Sequence, residues 1–333
     1  MTNHCEALEA LRTYGYSELE SRFLQFVALH SGLFLRRHFL QYSGLKSGRL
    51  ITNLLKTLQK NGHCRLIWLS KNANAYHLNS RAIYRALGHE NLRHRRSHQV
   101  DYVKAKLLGL DYILENRQFH YLPTEEEKVS FFTKVLNIPL SNLPVKAYKT
   151  PNSKEETQRY FVDKFPLFVT NLSLKAPVVH FSYVDPGPFG SVVNFVNHLR
   201  SYAGLFTHLQ QFCFIYIYQR SPRWKQAEPV FRTFVDSEFD LKTDDLQLSR
   251  YFDLRLAWEN EQYEKLGSSE LLFLNQAMKK FSGSGYEEMY LKWKGEGVLS
   301  PSPSESREQK RAVKASFVAY RINANYSAFG DLD

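Results

Sequence analysis

The segment Tyr42–Gly62, YSGLKSGRLITNLLKTLQKNG, reads as a helix with two unlike sides. With Lys46 at zero and 100° per residue, Arg49, Asn53, Lys56 and Lys60 fall within about 80° of one another and of Lys46. Leu50, Ile51, Leu54, Leu55 and Leu58 take the opposite arc. The apolar arc asks for a core, while the other arc presents four cations and an amide. A solvated helix face usually mixes signs, because Glu and Lys four residues apart support each other. This segment contains no Asp or Glu.

The flanking sequence supplies a setting. In Ser17–Gly32, Ser17 and Glu20 have the spacing of a capping box, Phe23, Phe26 and Val27 form an inward side, and Gly32 suits the C-terminal cap. LFLRRHFLQYSG predicts a second short helix with Leu35, Phe39 and Leu40 inward, broken at Gly44. Lys46–Asn61 is the third. After it, HCRLIWLSKNANAYHLNS alternates up to the polar turn SKNAN and returns through Tyr76–Leu78, which predicts a hairpin.

Three helices followed by a hairpin is the order of a winged helix-turn-helix, whose third helix enters the major groove while the hairpin meets adjacent backbone or the minor groove. In that arrangement Lys46 and Ser47 lie at the start of the reading helix. Ser47 and Arg49 are best placed for base edges, with Arg49 suited to guanine and Asn53 to adenine. Lys56, Lys60, Arg65 and Lys71 are expected on phosphates, which fix register without reading sequence. Asn72 and Asn74 fall at the tip of the wing. Trp68, Tyr76 and His77 are expected to pack in the core or at the sheet edge.

The charge distribution agrees. The chain has 333 residues and a net charge of +11. Residues 1–120 hold 18 Lys and Arg against 8 Asp and Glu, so nearly all the excess lies in the first third. A basic segment beside a neutral one points to a polyanion partner for the first alone. A membrane surface also attracts cations, but the Leu/Ile side of the basic helix is what a protein core requires, and this favours double-stranded DNA. No apolar run approaches the roughly 18 residues that cross a bilayer, and the N-terminus lacks the apolar stretch of a signal peptide, so a cytoplasmic location is expected. Cys5, Cys64 and Cys213 are far apart and predict neither a disulfide framework nor a zinc site. His94 and His98 stand four apart but lack further ligands at a suitable spacing.

In the second half, Val100–Glu115 predicts a helix carrying Val103, Leu107, Leu110 and Ile113 or Leu114, and Thr124 caps another. RYFVDKFPLFV (159–169), APVVHFSYVD (176–185) and QFCFIYIYQR (211–220) read as strands. A helix-length segment between the last two implies a crossover, hence an α/β domain. Apolar groups on both faces of the third predict a central, doubly covered strand.

A basic winged helix, then LLGLDYILE, then an α/β domain with YFVDKFPLF resembles the replication-relaxation family of plasmids and other mobile elements. The resemblance implies DNA binding linked to plasmid replication or mobilisation, and a second domain similar in layout to PD-(D/E)XK nucleases. Such nucleases need an Asp on one strand and acid-x-Lys on the next, to hold Mg²⁺ and orient water. Asp163 has Lys164 beside it, and Glu155 or Glu156 is the candidate helix acid, but VVHFSYVD contains no acid-x-Lys. Asp185, before Pro186-Gly187, reads as a turn aspartate. No nucleotide-binding glycine motif, phosphate loop or G-x-S-x-G elbow is present. The expectation is therefore a nuclease-like scaffold without catalytic residues, metal or cofactor. Two alternatives stay open: a metal-dependent DNA nuclease with a non-standard site, and a scaffold holding RNA or protein.

Residues 236–298 are helical in pattern, and LSPSPSESREQKR (299–311) reads as a linker. The expected fold class is mixed α and β: a winged helix-turn-helix over 1–98, a nuclease-like α/β domain with helical additions over 99–298, and a linker and tail over 299–333. Groove readers are commonly two-fold, so a homodimer is the expected assembly.

Overall fold

A computed structural model of the chain describes residues 4–46, 48–70, 73–96, 100–149, 156–162, 165–172, 177–187, 190–239, 241–296 and 313–326. It is a mixed α and β structure in two compact units: residues 1–232 with 313–333, and residues 233–312.

The first unit opens with α1 (His4–Arg12), which the sequence analysis did not anticipate, and α2 (Glu18–His30). The capping box at α2 is formed: the Ser17 hydroxyl accepts the Glu20 amide, and the Glu20 carboxylate accepts the Ser17 amide at 2.8 Å. Gly32 follows at φ +74°, where a Cβ would lie 2.5 Å from the His94 carbonyl oxygen, so turn and close approach both require glycine. Then come β1 (Leu33–Phe34), α3 (Arg36–Ser43), α4 (Arg49–Lys60), β2 (Cys64–Ser70) and β3 (Ala73–Leu78). The strands form an antiparallel sheet ordered β1-β3-β2, with Cys64 opposite Leu78 and Trp68 opposite Asn74. Ile51, Leu54, Leu55 and Leu58 of α4 are buried with Phe23, Phe34 and Phe39, whose rings meet edge to face at 5.0–5.2 Å around Phe23.

Beyond α5 (Arg81–Ala86), α6 (Val100–Glu115) runs between two cores. Its Leu110 and Leu114 belong to the cluster around α2 and α4. Val103, Leu107, Leu108, Tyr112 and Ile113 belong to a second cluster beneath a larger sheet. That sheet comprises β4 (His120–Tyr121), β7 (Phe168–Thr170), β8 (Val178–Val184), β9 (Gln211–Tyr218) and β10 (Lys314–Arg321), in the order β10-β9-β8-β7-β4. β8, β9 and β10 are parallel, and β7 is antiparallel to both its neighbours. The expected crossover is present as α8 (Val192–Ser201) and α9 (Ala203–Phe206), and Phe212–Ile217 of β9 are buried on both faces. α7 (Glu125–Ser130) has its Thr124 cap, and the Pro222–Val235 segment forms α10 (Trp224–Phe239). The last of these strands comes from the segment read as a tail.

Residues 159–169 are not one strand. Tyr160 closes β6 (Glu156–Tyr160), which among the described residues pairs with β5 (Val145–Lys149) in a separate two-stranded ribbon. Phe161 then takes φ +48°, and Pro166, which has no amide to donate, precedes β7. Glu156 is thus a strand residue and not a helix acid; Glu155, Asp163 and Lys164 lie outside the described residues.

The buried carboxylate of Asp111 joins distant parts of this unit. Asp111 of α6 accepts both terminal nitrogens of Arg37, one of them at 2.8 Å, and the Tyr326 hydroxyl at 2.6 Å. His38 Nε2 lies 2.9 Å away. The His38 Nδ1 accepts the Leu35 amide at 3.1 Å, which places the ring proton on Nε2, facing Asp111. Burial alone would raise the Asp111 pKa, yet hydrogen bonds from Arg37 and His38 and the charge of Arg37 hold it well below the usual carboxylate range. The helix pair α3/α6 and the segment after β10 converge on this group.

The second unit holds α11 (Leu241–Glu259), α12 (Ser268–Lys280) and α13 (Ser284–Glu296) around Leu248, Phe252, Leu274, Phe281 and Tyr290. Arg255 bridges Glu259 and Glu287. Residues 299–311 lie outside the described residues. No helix among the described residues is long and apolar enough to cross a membrane.

Asp111→Asn leaves Arg37 without its counter-charge. The expected loss is on the order of 2–3 kcal/mol, toward the low side for a buried pair because Arg37 is partly exposed. The folded pKa lies below the unfolded value of about 3.9, so the contribution is in force above that pH and fades as pH falls through and below it. Thermal unfolding from pH 7 to pH 3 checks this, with a flatter acid limb expected for the variant.

Candidate nucleic-acid interface

The two sides of α4 separate as its sequence demands. Arg49, Asn53, Lys56 and Lys60 are exposed, against the fully covered Ile51, Leu54 and Leu58. Leu50, expected inward, is 45% exposed. At about 40° from Lys46 on the wheel it borders the basic arc. The helix also starts later than expected, at Arg49, because Gly48 takes the N-cap with no side-chain cap and glycine resists helix. Lys46 is therefore an exposed residue before the helix, and Ser47 lies outside the described residues. Among the described residues Lys46, Arg49, Lys56, Lys60 and Arg65 make no ion pair with an acid.

Arg36 is a participant the sequence analysis missed. Its guanidinium donates to the Thr52 hydroxyl at 2.9 Å, and that hydroxyl donates to the Gly48 carbonyl at 2.8 Å. The exposed Arg36 thus braces the start of α4 from α3. The signal was the Arg36-Arg37 pair, whose members point in different directions, one to the surface and one to Asp111.

On the hairpin, Arg65 is exposed, and Tyr76 and His77 are buried as expected. Trp68 is not: 70% of it faces solvent, with Leu66 at 42% on the same side of the strand. The register puts Leu66 opposite Tyr76 and Trp68 opposite Asn74, on the sheet face whose Cys64, Tyr76 and Leu78 cover the helices. Leu66 and Trp68 extend beyond that cover. The Asn74 carbonyl oxygen is shielded from solvent and has no hydrogen-bond partner. Lys71 and Asn72 lie outside the described residues.

Elsewhere the candidate chemical groups serve the fold. The His94 carbonyl accepts His77 Nε2 at 2.8 Å, and its buried ring lies 3.2 Å from Lys106; His98 is outside the described residues. Asp185, at the end of β8, is engaged by the Tyr216 hydroxyl at 2.8 Å, the Arg223 guanidinium at 2.9 Å and the Gly187 amide at 2.9 Å. Burial pushes the Cys213 thiol up, and it sits in β9 in register with His180, whose ring is stacked on Phe168 and joined to Thr170. No group of three or more His, Cys, Asp or Glu suited to a metal occurs among the described residues.

The chain matches no protein-family model, no curated protein and no solved structure.

The two sides of α4 should separate in stability. Leu54→Ala is expected to cost about 3 kcal/mol, and Lys56→Ala to stay within about 0.5 kcal/mol, by urea unfolding. Similar losses at both positions would mean that the basic side is also packed.

Proposed function

We propose that residues 1–98 form a winged helix that binds double-stranded DNA, with α4 in the major groove and the β2–β3 hairpin as the wing. The observation that carries this is the exposed, acid-free row of Arg49, Asn53, Lys56 and Lys60 on a helix whose other side is buried. The pair α2 and α3 immediately before α4, and an antiparallel hairpin after it, supply the docking order of that class. Lys56, Lys60 and Arg65 neutralise phosphates; Arg49 and Asn53 reach base edges. Lys46, Ser47, Lys71, Asn72 and Asn74 belong to the same proposal by sequence position. The layout in common with the replication-relaxation family supports a role in the replication or mobilisation of a plasmid or similar element, with a cytoplasmic homodimer as the working form.

The larger sheet is assigned a scaffolding role without cleavage. In support, Asp185 is spent on Arg223, Tyr216 and the turn backbone, an arrangement that leaves a metal ion no reason to prefer it.

Duplex titrations at rising salt test this. Lys56→Ala is expected to lower the slope of log Kd against log salt by about one ion, uniformly across sequences. Arg49→Ala is expected to cost about 1–3 kcal/mol of discrimination at one base position. An unchanged slope in Lys56→Ala would favour an RNA or protein scaffold. Mg²⁺-dependent nicking that disappears in Asp163→Ala would establish the nuclease alternative instead.

A further inference from the structure

The ribbon β5–β6 sets two cations against each other. Lys146 is directly opposite Arg159, and such residues of an antiparallel pair share a face, with their Cβ atoms about 4.5–5.5 Å apart. Like charges so placed repel. Tyr148, two residues along, projects from the same face, and the Arg93 guanidinium of the turn Arg93–Arg95 lies over its ring, 4.8 Å from the centroid. Arg93 and Arg159 also line one cleft, together with the buried Lys128 and with Glu125. Glu125 lies 3.6 Å from Arg159, and both side chains are 37% exposed. An ion pair that long and that open contributes little. Among the described residues Arg93 and the exposed Lys146 make no ion pair with an acid. Each arginine's Nε is covered by protein, whereas the terminal nitrogens of both make no hydrogen bond and reach solvent.

The cleft measures about 50 Å³, room for about four water-sized atoms and too little for an aromatic ring. Its occupant is therefore small and anionic, with oxygens for two guanidinium groups that come from a strand and from a turn. A carboxylate offers two oxygens and one charge, whereas a phosphate group offers at least three oxygens and up to about two charges. We propose that Arg93, Lys146 and Arg159 bind a phosphate group, which accepts from the terminal nitrogens of both arginines and offsets the repulsion between Lys146 and Arg159. This site stands independently of the role assigned to α4. The phosphate is either a link in a polynucleotide backbone or part of a free phosphorylated molecule, and one set of variants separates the two.

Calorimetric titration of the full chain with inorganic phosphate at constant ionic strength is expected to show saturable binding of one ion per chain. Arg93→Gln and Arg159→Gln should each weaken it about tenfold or more, because each removes a hydrogen bond to a charged group. Lys146→Gln should weaken it less. Arg200→Gln, which alters an exposed arginine of α8, should leave it within about twofold. Acetate should give no saturable signal. Without phosphate, Arg159→Gln should unfold at the same temperature or slightly higher, since a like-charge contact is removed. In duplex titrations at rising salt, a slope lowered by about one ion in Arg159→Gln assigns the phosphate to a DNA backbone. An unchanged slope beside weakened phosphate binding assigns it to a separate phosphorylated molecule. Three results overturn the proposal: no phosphate binding by the unaltered protein together with an unchanged slope, equal weakening by Arg200→Gln, or acetate bound equally well. A marked loss of stability in Arg159→Gln with phosphate binding intact overturns it in favour of a structural pair with Glu125. Absence of duplex binding with phosphate binding intact overturns the reading of α4 alone.

Discussion

Asp111 is the constraint on which the rest of the first unit depends. A carboxylate that is almost completely buried is tolerable only when its charge is met and its oxygens are occupied. Here Arg37 supplies the charge, His38 a ring N–H, and Tyr326 a hydroxyl from far along the chain. These partners pin α3 against α6. Arg36, the residue before Arg37, braces the first turn of α4 through Thr52. The orientation of the basic helix is thus set from behind by an ion pair that never meets the surface where its cations lie.

α6 has a matching role in the packing. It has no polar side to give to water over most of its length, because one set of its residues completes the core beneath α4 and another set the core beneath the larger sheet. A helix that is apolar most of the way round is a buried helix. Its position lets the small three-stranded sheet and the five-stranded sheet share one continuous interior, with Leu33 and Ala75 of the first in the same cluster as Ile215 and Ile217 of the second.

Much of this was legible in the sequence where one local rule acted alone. The Ser17 capping box, the Thr124 cap, the glycine stops at Gly32 and Gly44, the two-sided α4 and the crossover between β8 and β9 all follow from residue type and spacing over a few turns. What escaped was set by partners distant in sequence. β1 is two residues long, and only its pairing with β3 makes it a strand. The segment around Phe161 and Pro166 is apolar enough for a strand, but the positive φ of Phe161 separates it into two pieces that join different sheets. Trp68 was assigned to packing because tryptophan usually is packed; alternation alone did not show where the cover of the helices ends. Leu50 failed for a related reason, since its angle on the wheel borders both arcs and the boundary of the core decides. The Arg36–Thr52 brace and the bonds of Arg37 and Tyr326 to Asp111 join side chains 16, 74 and 215 residues apart and had no local signal.

The strand β10 has a consequence for how the protein is made. It pairs in parallel with β9 over its full length, yet 95 or so residues of chain, including α11 to α13, are synthesised between them. Until residues 314–321 leave the ribosome, β9 presents an open flank of amides and carbonyls, and Asp111 waits without its tyrosine. A nascent chain that stalls before residue 314 therefore displays an unpaired flank on β9, which β10 closes once it is made.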